Sequence, residues 1–204
     1  ALILAPWLAA RRRMSSMVSL GAGLLVACLL PAVFFGLEGT IALYRGWWQT
    51  VTSTTDGTLL HSDNVSLASL WAKRLGIGSA AATLAAVSSL VLLIAAAFAF
   101  SRRRGVDRPG GLEAGLLLAI TPLISPQGWD YVLVLATIAL LYVVNDFDRL
   151  SRTMQAVTIA AIAAIGLTLY DFLGRQLIYA LLDVSIITLG MVALIATLVS
   201  LRVR

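Results

Sequence analysis

Hydrophobic positions gather into long uninterrupted runs, and polar residues are confined to the segments between them. A bilayer core of about 30 Å requires roughly 20 apolar residues in a helix. Lipid-exposed backbone is satisfied only within helices or closed barrels, and these runs lack the alternation of a membrane barrel strand. The pattern therefore predicts an all-α, polytopic transmembrane helix bundle. Its six full spans are predicted at 17–36, 79–100, 109–124, 129–145, 154–170 and 184–201.

Residues 1–10 are also hydrophobic, and no basic segment precedes them. This is unlike a signal peptide, and we interpret the segment as one further, partial span. Residues 1–204 are then expected to be the C-terminal part of a multi-pass membrane domain, with a catalytic part upstream.

Basic residues predict the orientation of the spans. If Arg11, Arg12 and Arg13 lie in the cytoplasm and the spans alternate, 11 of the 15 basic residues lie inside, as the positive-inside rule requires. The outer side then receives only Arg45, Lys73, Arg74 and Arg175.

The outer segment 37–78 is too long for a simple connection and predicts interfacial helices. Apolar residues from Leu37 to Val51 recur at helical spacing, and Trp47 and Trp48 are typical of a membrane interface. We expect 37–51 to lie on the outer surface and the polar stretch 52–58 to be a loop.

A second short outer helix is expected after this loop. Asp63 or Asn64 would cap its start and Gly76 would end it. Further along, Ser125 to Gly128 is expected to form a hairpin. The segment 171–183 leaves two alternatives open: an outer interfacial helix, or a single long span over 176–201.

Composition narrows the function classes. The chain is 60% hydrophobic and 12% charged, with a mean hydropathy of +0.94, whereas soluble domains carry about 25% charged residues. This excludes a soluble enzyme, a disordered tail and a nucleic-acid-binding domain, even though the isoelectric point is near 10.0. No dinucleotide, phosphate-loop, catalytic-triad or metal motif is present, and no cofactor or metal ligand is predicted.

Two groups of polar residues at the outer boundary could carry chemistry. Asp130 begins a span beside Trp129, where a carboxylate could orient or deprotonate a hydroxyl. Alternatively, Asp130 only starts the helix and Trp129 anchors it at the interface. His61, with Asp63 and Asn64, could act in acid–base chemistry or bind phosphate, or it could simply be solvated.

The basic residues predicted to lie on the outer side could also belong to a substrate site. Arg45, Lys73 and Arg74 could bind the phosphate of a lipid-linked substrate. Alternatively, these side chains are solvated or paired with lipid headgroups.

Two short motifs give the sequence a family resemblance. The stretch Ser125-Pro126-Gln127-Gly128-Trp129-Asp130 resembles the Ser-Pro-x-x-Trp-acidic segment of glycosyltransferase family 87. The stretch Asp63-Asn64-Val65-Ser66-Leu67 resembles the Asn-x-Ser-Leu segment of that family's outer loop. The family often has histidine just after the acidic residue, whereas this chain has Tyr131 and Val132.

The resemblance implies a C-type enzyme of the bacterial plasma membrane. Such an enzyme transfers a sugar, for example mannose, from a polyprenyl-phosphate sugar to a lipid or glycan acceptor on the outer face. It inverts the anomeric centre with a carboxylate base, which is expected upstream of residue 1; Asp130 is the candidate base within this chain. Membrane lipids are the expected partners, and nucleic acid is not. Expected substrate-binding residues are His61, Asp63, Asn64, Ser66, Gln127, Trp129, Arg45, Lys73 and Arg74.

Two other classes remain open. A transporter or flippase for a lipid-linked sugar predicts charged residues at mid-membrane, but runs 17–36, 79–100 and 154–170 have none at their centres. A non-catalytic membrane scaffold would need less outer loop than 37–78 provides.

Overall fold

The computed structural model describes residues 3–102, 109–168 and 173–203, and for Tyr131 and Val132 it describes the backbone only. All regular elements within those residues are helical, which confirms the all-α prediction. The α-helices are α1 Leu4–Ala10, α2 Met14–Leu29, α3 Ala32–Leu59, α4 Leu67–Leu75, α5 Ser79–Ser101, α6 Pro109–Ile124, α7 Thr137–Asn145, α8 Arg152–Gly166, α9 Arg175–Asp183 and α10 Ile186–Val203. Two 3-10 helices, Asp130–Ala136 and Phe147–Arg149, flank α7.

The chain divides into two compact units, residues 1–55 and 56–204. In the first unit, the span predicted over 17–36 is not one straight helix, because α2 and α3 meet at an angle of 83°. Pro31 follows α2 and cannot donate a backbone hydrogen bond. Gly36 then takes a φ of 67° inside α3, a conformation that glycine adopts at little cost.

The predicted helix over 37–51 is confirmed, but the predicted loop over 52–58 is wrong, because α3 continues to Leu59. The hydroxyl groups explain the difference. Thr52 donates to Trp48 O at 2.8 Å, Thr54 to Thr50 O at 2.7 Å and Thr55 to Val51 O at 2.6 Å. These side chains bond back to the preceding turn of the helix instead of ending it.

The core of the second unit lies between α6 and α10, where the largest fully buried side chains include Leu112, Ile120 and Leu194. α8 approaches α10 closely at Gly190, where an added Cβ would lie 3.2 Å from Ala161 O. Close approach at small residues is the usual packing of helices in membranes.

Two polar contacts connect the core helices of the second unit. Thr158 of α8 and Thr197 of α10 share a buried hydrogen bond of 3.1 Å. Further toward the C-terminal end of α10, the guanidinium of Arg202 donates to Glu113 of α6 at 3.1 Å, and both side chains are buried. Arg202 is one of the 11 basic residues predicted to lie inside, and within the second unit its side chain is buried in this pair.

Fewer of the described helices are long enough to cross a membrane than the sequence predicted. Among the described helices, α5 and α10 are long and apolar enough to cross a membrane, and the bent pair of α2 and α3 would add a third. Pro109–Ile124, Leu133–Asn145 and Arg152–Gly166 are apolar but shorter. The count of six spans is therefore not confirmed, although an apolar helix overlaps each predicted run.

Three local predictions are settled by the helix ends. Ser66, and neither Asp63 nor Asn64, caps α4, because its Oγ accepts a hydrogen bond from Ser69 N at 3.0 Å. Gly76 ends α4 with a φ of 80°, as predicted. A single span over 176–201 is wrong, because α9 ends at Asp183 and Ser185 turns the chain with a φ of 57°. The arginines at 103, 104 and 108, residues 169–172 and Arg204 lie outside the described residues.

Candidate functional site

The structure brings the two sequence motifs together. Asn64 and Trp129 form an isolated antiparallel bridge, and Val65 N donates to Gly128 O at 2.7 Å. Gly128 is required at this crossing, because a Cβ there would collide with the carbonyl oxygen of Pro122. The segment 60–66, here called the motif loop, and the segment 125–130, here called the hairpin, are thus one local structure.

Asn64 holds the two segments in register. Its amide nitrogen donates to Pro126 O at 2.9 Å and to Thr58 O at 3.1 Å, and its Oδ1 accepts from Ser66 N at 3.0 Å. The side chain is 1% exposed. Its polar atoms are therefore directed at the backbone of the protein.

Ser66 is fully buried and has a similar role. Besides capping α4, its hydroxyl lies 3.4 Å from Pro126 O. Asn64 and Ser66 were predicted to bind substrate, and the structure places both in the framework beneath the surface of the site. A direct contact with substrate stays a prediction for both residues.

The part of the site open to solvent consists of the exposed His61 and the half-buried Asp63 and Trp129. The imidazole packs edge-on against the Trp129 ring, with centroids 5.3 Å apart and planes at 68°. His61 Nδ1 lies 3.6 Å from Asp63 Oδ2, and the two side chains are 54% and 32% exposed. In the sequence, Trp129 lies far from His61 and Asp63, and the bridge between Asn64 and Trp129 makes the three residues neighbours.

Asp130 and Gln127 flank Trp129 on the hairpin. Asp130 is exposed and begins the first 3-10 helix. The Gln127 side chain is half-buried. The backbone carbonyl of Gln127 accepts a hydrogen bond from Trp129 N at 3.2 Å. The predicted start of a helix at Asp130 is confirmed, but its first turns are 3-10 and α7 proper begins at Thr137.

Lys73 connects three segments of the second unit. Its ammonium donates to Ser62 O in the motif loop at 3.0 Å and to Leu182 O at the end of α9 at 3.2 Å. Burial lowers the pKa of Lys73, while the nearby carboxylates of Asp183 and Asp63 oppose the shift. Its expected contact with a substrate phosphate is untested, and the structure gives its charge a role within the protein.

Arg74 makes a parallel contact. Its guanidinium donates to Leu70 O at 2.9 Å and to Val184 O at 3.3 Å. Val184 follows the last residue of α9, so this contact adds a donor to a carbonyl at the end of that helix. Lys73 and Arg74 therefore join the end of α4 to the turn between α9 and α10.

Arg45 lies in the first unit, on α3. It lines an open groove with Ile41, Tyr44, Trp48 and Gln49, all of them exposed. Tyr44 fixes one side of this surface by donating from its hydroxyl to Cys28 O of α2 at 2.9 Å.

The sequence interpretation missed Thr188 and Glu113. Thr188 Oγ1 donates to Val65 O at 2.9 Å, and this buried contact ties α10 to the motif loop. Each of these residues is an isolated polar residue inside an apolar run, and that is the signal that could have identified them. No group of three or more His, Cys, Asp or Glu able to hold a metal ion occurs in the described part of the chain.

Comparison with known proteins gives one match. The model of Glycosyltransferase family 87 matches residues 1–126, more than half of the 204 residues. The match includes the motif loop and α4 and ends at Pro126, three residues before Trp129. No curated protein and no solved structure matches the chain.

Proposed function

We propose, given that the chain belongs to glycosyltransferase family 87, that it acts in a membrane enzyme that transfers a sugar from a polyprenyl-phosphate sugar to a lipid or glycan acceptor. The family supports glycosyl transfer in general, and the apolar helices support a membrane location. The donor, the mannose-type sugar and the bacterial plasma membrane are part of the proposal.

The observation that carries this proposal is the bridge between Asn64 and Trp129. It unites the two motifs that resemble the family, although 65 positions separate these residues in the sequence. Residues that build a site come together from distant segments, whereas a residue that only anchors a helix at the membrane interface needs no such pairing. The bridge therefore supports a substrate site at the motif loop and hairpin.

The chemistry required is a nucleophilic substitution at the anomeric carbon. The acceptor hydroxyl oxygen forms the new glycosidic bond, the bond to the phosphate oxygen breaks, and polyprenyl phosphate leaves with the bonding electrons. A carboxylate takes the hydroxyl proton, and it must approach that hydroxyl to hydrogen-bond distance. The exposed Asp130 is the carboxylate of the hairpin suited to contact the acceptor or the sugar.

Cations would stabilise the negative charge that develops on the phosphate of the leaving group. Within the first unit, the groove of Arg45, Tyr44 and Trp48 presents a guanidinium beside aromatic surface, a combination that suits the phosphate of a lipid. In the proposed arrangement, α3 lies on the outer face of the membrane, where amphipathic rings are favoured. Lys73 and Arg74 would then contribute mainly through the backbone contacts that they make.

The proposal is tested by Asp130→Asn in the full-length protein in membranes, with transfer measured from a polyprenyl-phosphate sugar. We expect transfer to fall at least about tenfold, which corresponds to roughly 1.4 kcal/mol of barrier. Asp148→Asn is the matched control, because Asp148 is also exposed and also lies in a 3-10 helix next to α7. Equal activity of the two variants would remove Asp130 from the site.

A further inference from the structure

We infer that His61, Asp63 and Trp129 form a subsite for the neutral sugar ring of the donor, and that the donor phosphate binds elsewhere. The inference rests on the proposed function and deepens it. It assigns one part of the substrate to one cluster of side chains.

The cluster has the chemistry of carbohydrate binding. A sugar ring presents hydroxyl groups at its edge and C–H groups on its faces. Trp129 offers apolar aromatic surface with a polar tip, and the carboxylate of Asp63 accepts hydrogen bonds only. The neutral imidazole of His61 adds one donor and one acceptor.

The spacing of His61 and Asp63 suits a ligand that contacts both side chains. Asp63 Oδ2 lies 3.6 Å from His61 Nδ1, which is too long for a hydrogen bond between them. The polar atoms of both side chains can therefore bond to the hydroxyl groups of one sugar ring. Asp63 Oδ1 already accepts from the Ser62 hydroxyl at 3.2 Å, which limits the directions left open on the carboxylate.

Charge argues against a phosphate at this cluster. The half-buried carboxylate of Asp63 lies 3.6 Å from His61 Nδ1 in the motif loop, and the hairpin adds the exposed Asp130 directly after Trp129 in the sequence. The nearest cation of α4, Lys73, donates to Ser62 O and Leu182 O. The anionic phosphodiester of the donor would be repelled if placed against Asp63, whereas a neutral ring of hydroxyl groups gains hydrogen bonds to it.

The cluster is also rigid enough to select a ligand. His61 N donates to Thr58 O, and Asn64 N donates to His61 O, both at 3.2 Å. Lys73 fixes the carbonyl of Ser62 between them. A rigid loop places the imidazole and carboxylate before the ligand arrives, and such preorganisation lowers the entropic cost of binding.

The test separates the sugar from its lipid phosphate carrier. In the full-length protein in membranes, we would measure the KM for polyprenyl-phosphate mannose and the inhibition constant of polyprenyl phosphate, which lacks the sugar. Asp63→Asn and His61→Gln should each raise the KM about tenfold, the size expected for one hydrogen bond to a charged or well-placed group. The inhibition constant of polyprenyl phosphate should stay within about twofold. Asp56→Asn is the control, because Asp56 is a nearby exposed acid at the end of α3.

The outcomes distinguish the two levels of the proposal. An equal rise of both constants would place the phosphate at this cluster and overturn the inference. Unchanged constants in an active enzyme would also overturn it, without affecting the proposed function. A wild-type enzyme that does not use the polyprenyl-phosphate sugar would overturn the proposed donor and the inference together. His61→Gln keeps a hydrogen-bonding side chain at an exposed position, so its effect is separable from misfolding.

Discussion

The side-chain amide of Asn64 makes three hydrogen bonds inside the protein, to Thr58 O, to Pro126 O and from Ser66 N. A buried amide used in this way specifies the residue closely, because an aspartate would turn a carboxylate oxygen toward two carbonyl oxygens. Leaving one buried polar group unsatisfied costs about 1–3 kcal/mol.

We therefore expect Asn64→Asp to weaken the motif loop by at least that amount. Limited proteolysis of the detergent-solubilised protein should show faster cleavage near residues 58–66 in the variant. Asn145→Asp, at an exposed position at the end of α7, should leave the cleavage rate unchanged. Similar rates for both variants would mean that the amide does not hold the loop.

Lys73 is the single lysine of the sequence, which makes its ionisation measurable. Burial lowers its pKa, and the carboxylate of Asp183 opposes this lowering more strongly than that of Asp63 does. Since only the neutral amine reacts with acylating reagents, half-maximal labelling should occur below about pH 10.4, the ordinary value for lysine.

Removing the opposing carboxylate gives this prediction its sign. Asp183→Asn should move the labelling midpoint of Lys73 to still lower pH, and Asp148→Asn should not move it. The measurement is peptide mass spectrometry after brief acetylation across a pH series. A midpoint that rises in Asp183→Asn would contradict the arrangement at the end of α9.

At the level of helices, burial of Glu113 against Arg202 joins α6 to α10. Removing one partner of a buried pair costs about 3–5 kcal/mol, whereas replacing both by apolar residues is often neutral. We expect Arg202→Met to lower the thermal stability of the solubilised protein strongly, and the double change Glu113→Leu with Arg202→Met to restore most of it.

The control for this pair is an exposed one. Arg149 donates to Asp146 at 3.2 Å across one turn, with 42% of the arginine side chain exposed. Pairs of this kind contribute at most about 1 kcal/mol, and Arg149→Met should therefore have little effect on thermal stability. A double variant no more stable than Arg202→Met would show that the pair is not what matters at this position.

Helix prediction succeeded where the distribution of hydrophobic residues alone decided the structure. It failed where hydroxyl side chains bonded to the helix backbone and where a proline interrupted it. The α5 and α10 runs follow from composition, and Gly76 ends α4 as expected. The extension of α3 through 52–58 depends on hydroxyls bonding within the helix, whereas the same residues are common in loops. The break at Pro31 was overlooked because the run continues on both sides of it.

The sequence selected candidate site residues but not the contacts between them. Asp63 and Trp129 belong to the two motifs, and His61 lies just before the first motif in the outer segment 37–78. The contact of His61 with Trp129 depends on a bridge between positions 64 and 129, and no local pattern encodes that pairing. The backbone contacts of Lys73 likewise involve Leu182, 109 positions away.

At the scale of the whole molecule, the predicted alternation of the spans determines on which side of the membrane the site lies. Eleven of the fifteen basic residues fall on one side when the predicted spans alternate, and this bias orients helices during insertion. Three of the apolar helices are shorter than a full span. Short helices can still cross when flanking residues extend toward the interface or the bilayer thins locally, so the alternation itself needs a direct test.

Accessibility of single cysteines in intact cells supplies that test. In a Cys28→Ala background of the full-length protein, with any cysteines outside this sequence also replaced, Asp56→Cys should react with a membrane-impermeant maleimide, because the predicted topology places the end of α3 outside. Asp148→Cys should react only after the membrane is permeabilised, because the segment between α7 and α8 is predicted to lie inside. Both positions are exposed, so a difference in labelling reports the side of the membrane. Labelling of both positions in intact cells would remove the crossings predicted between them and would leave the outer-face location of the site without support.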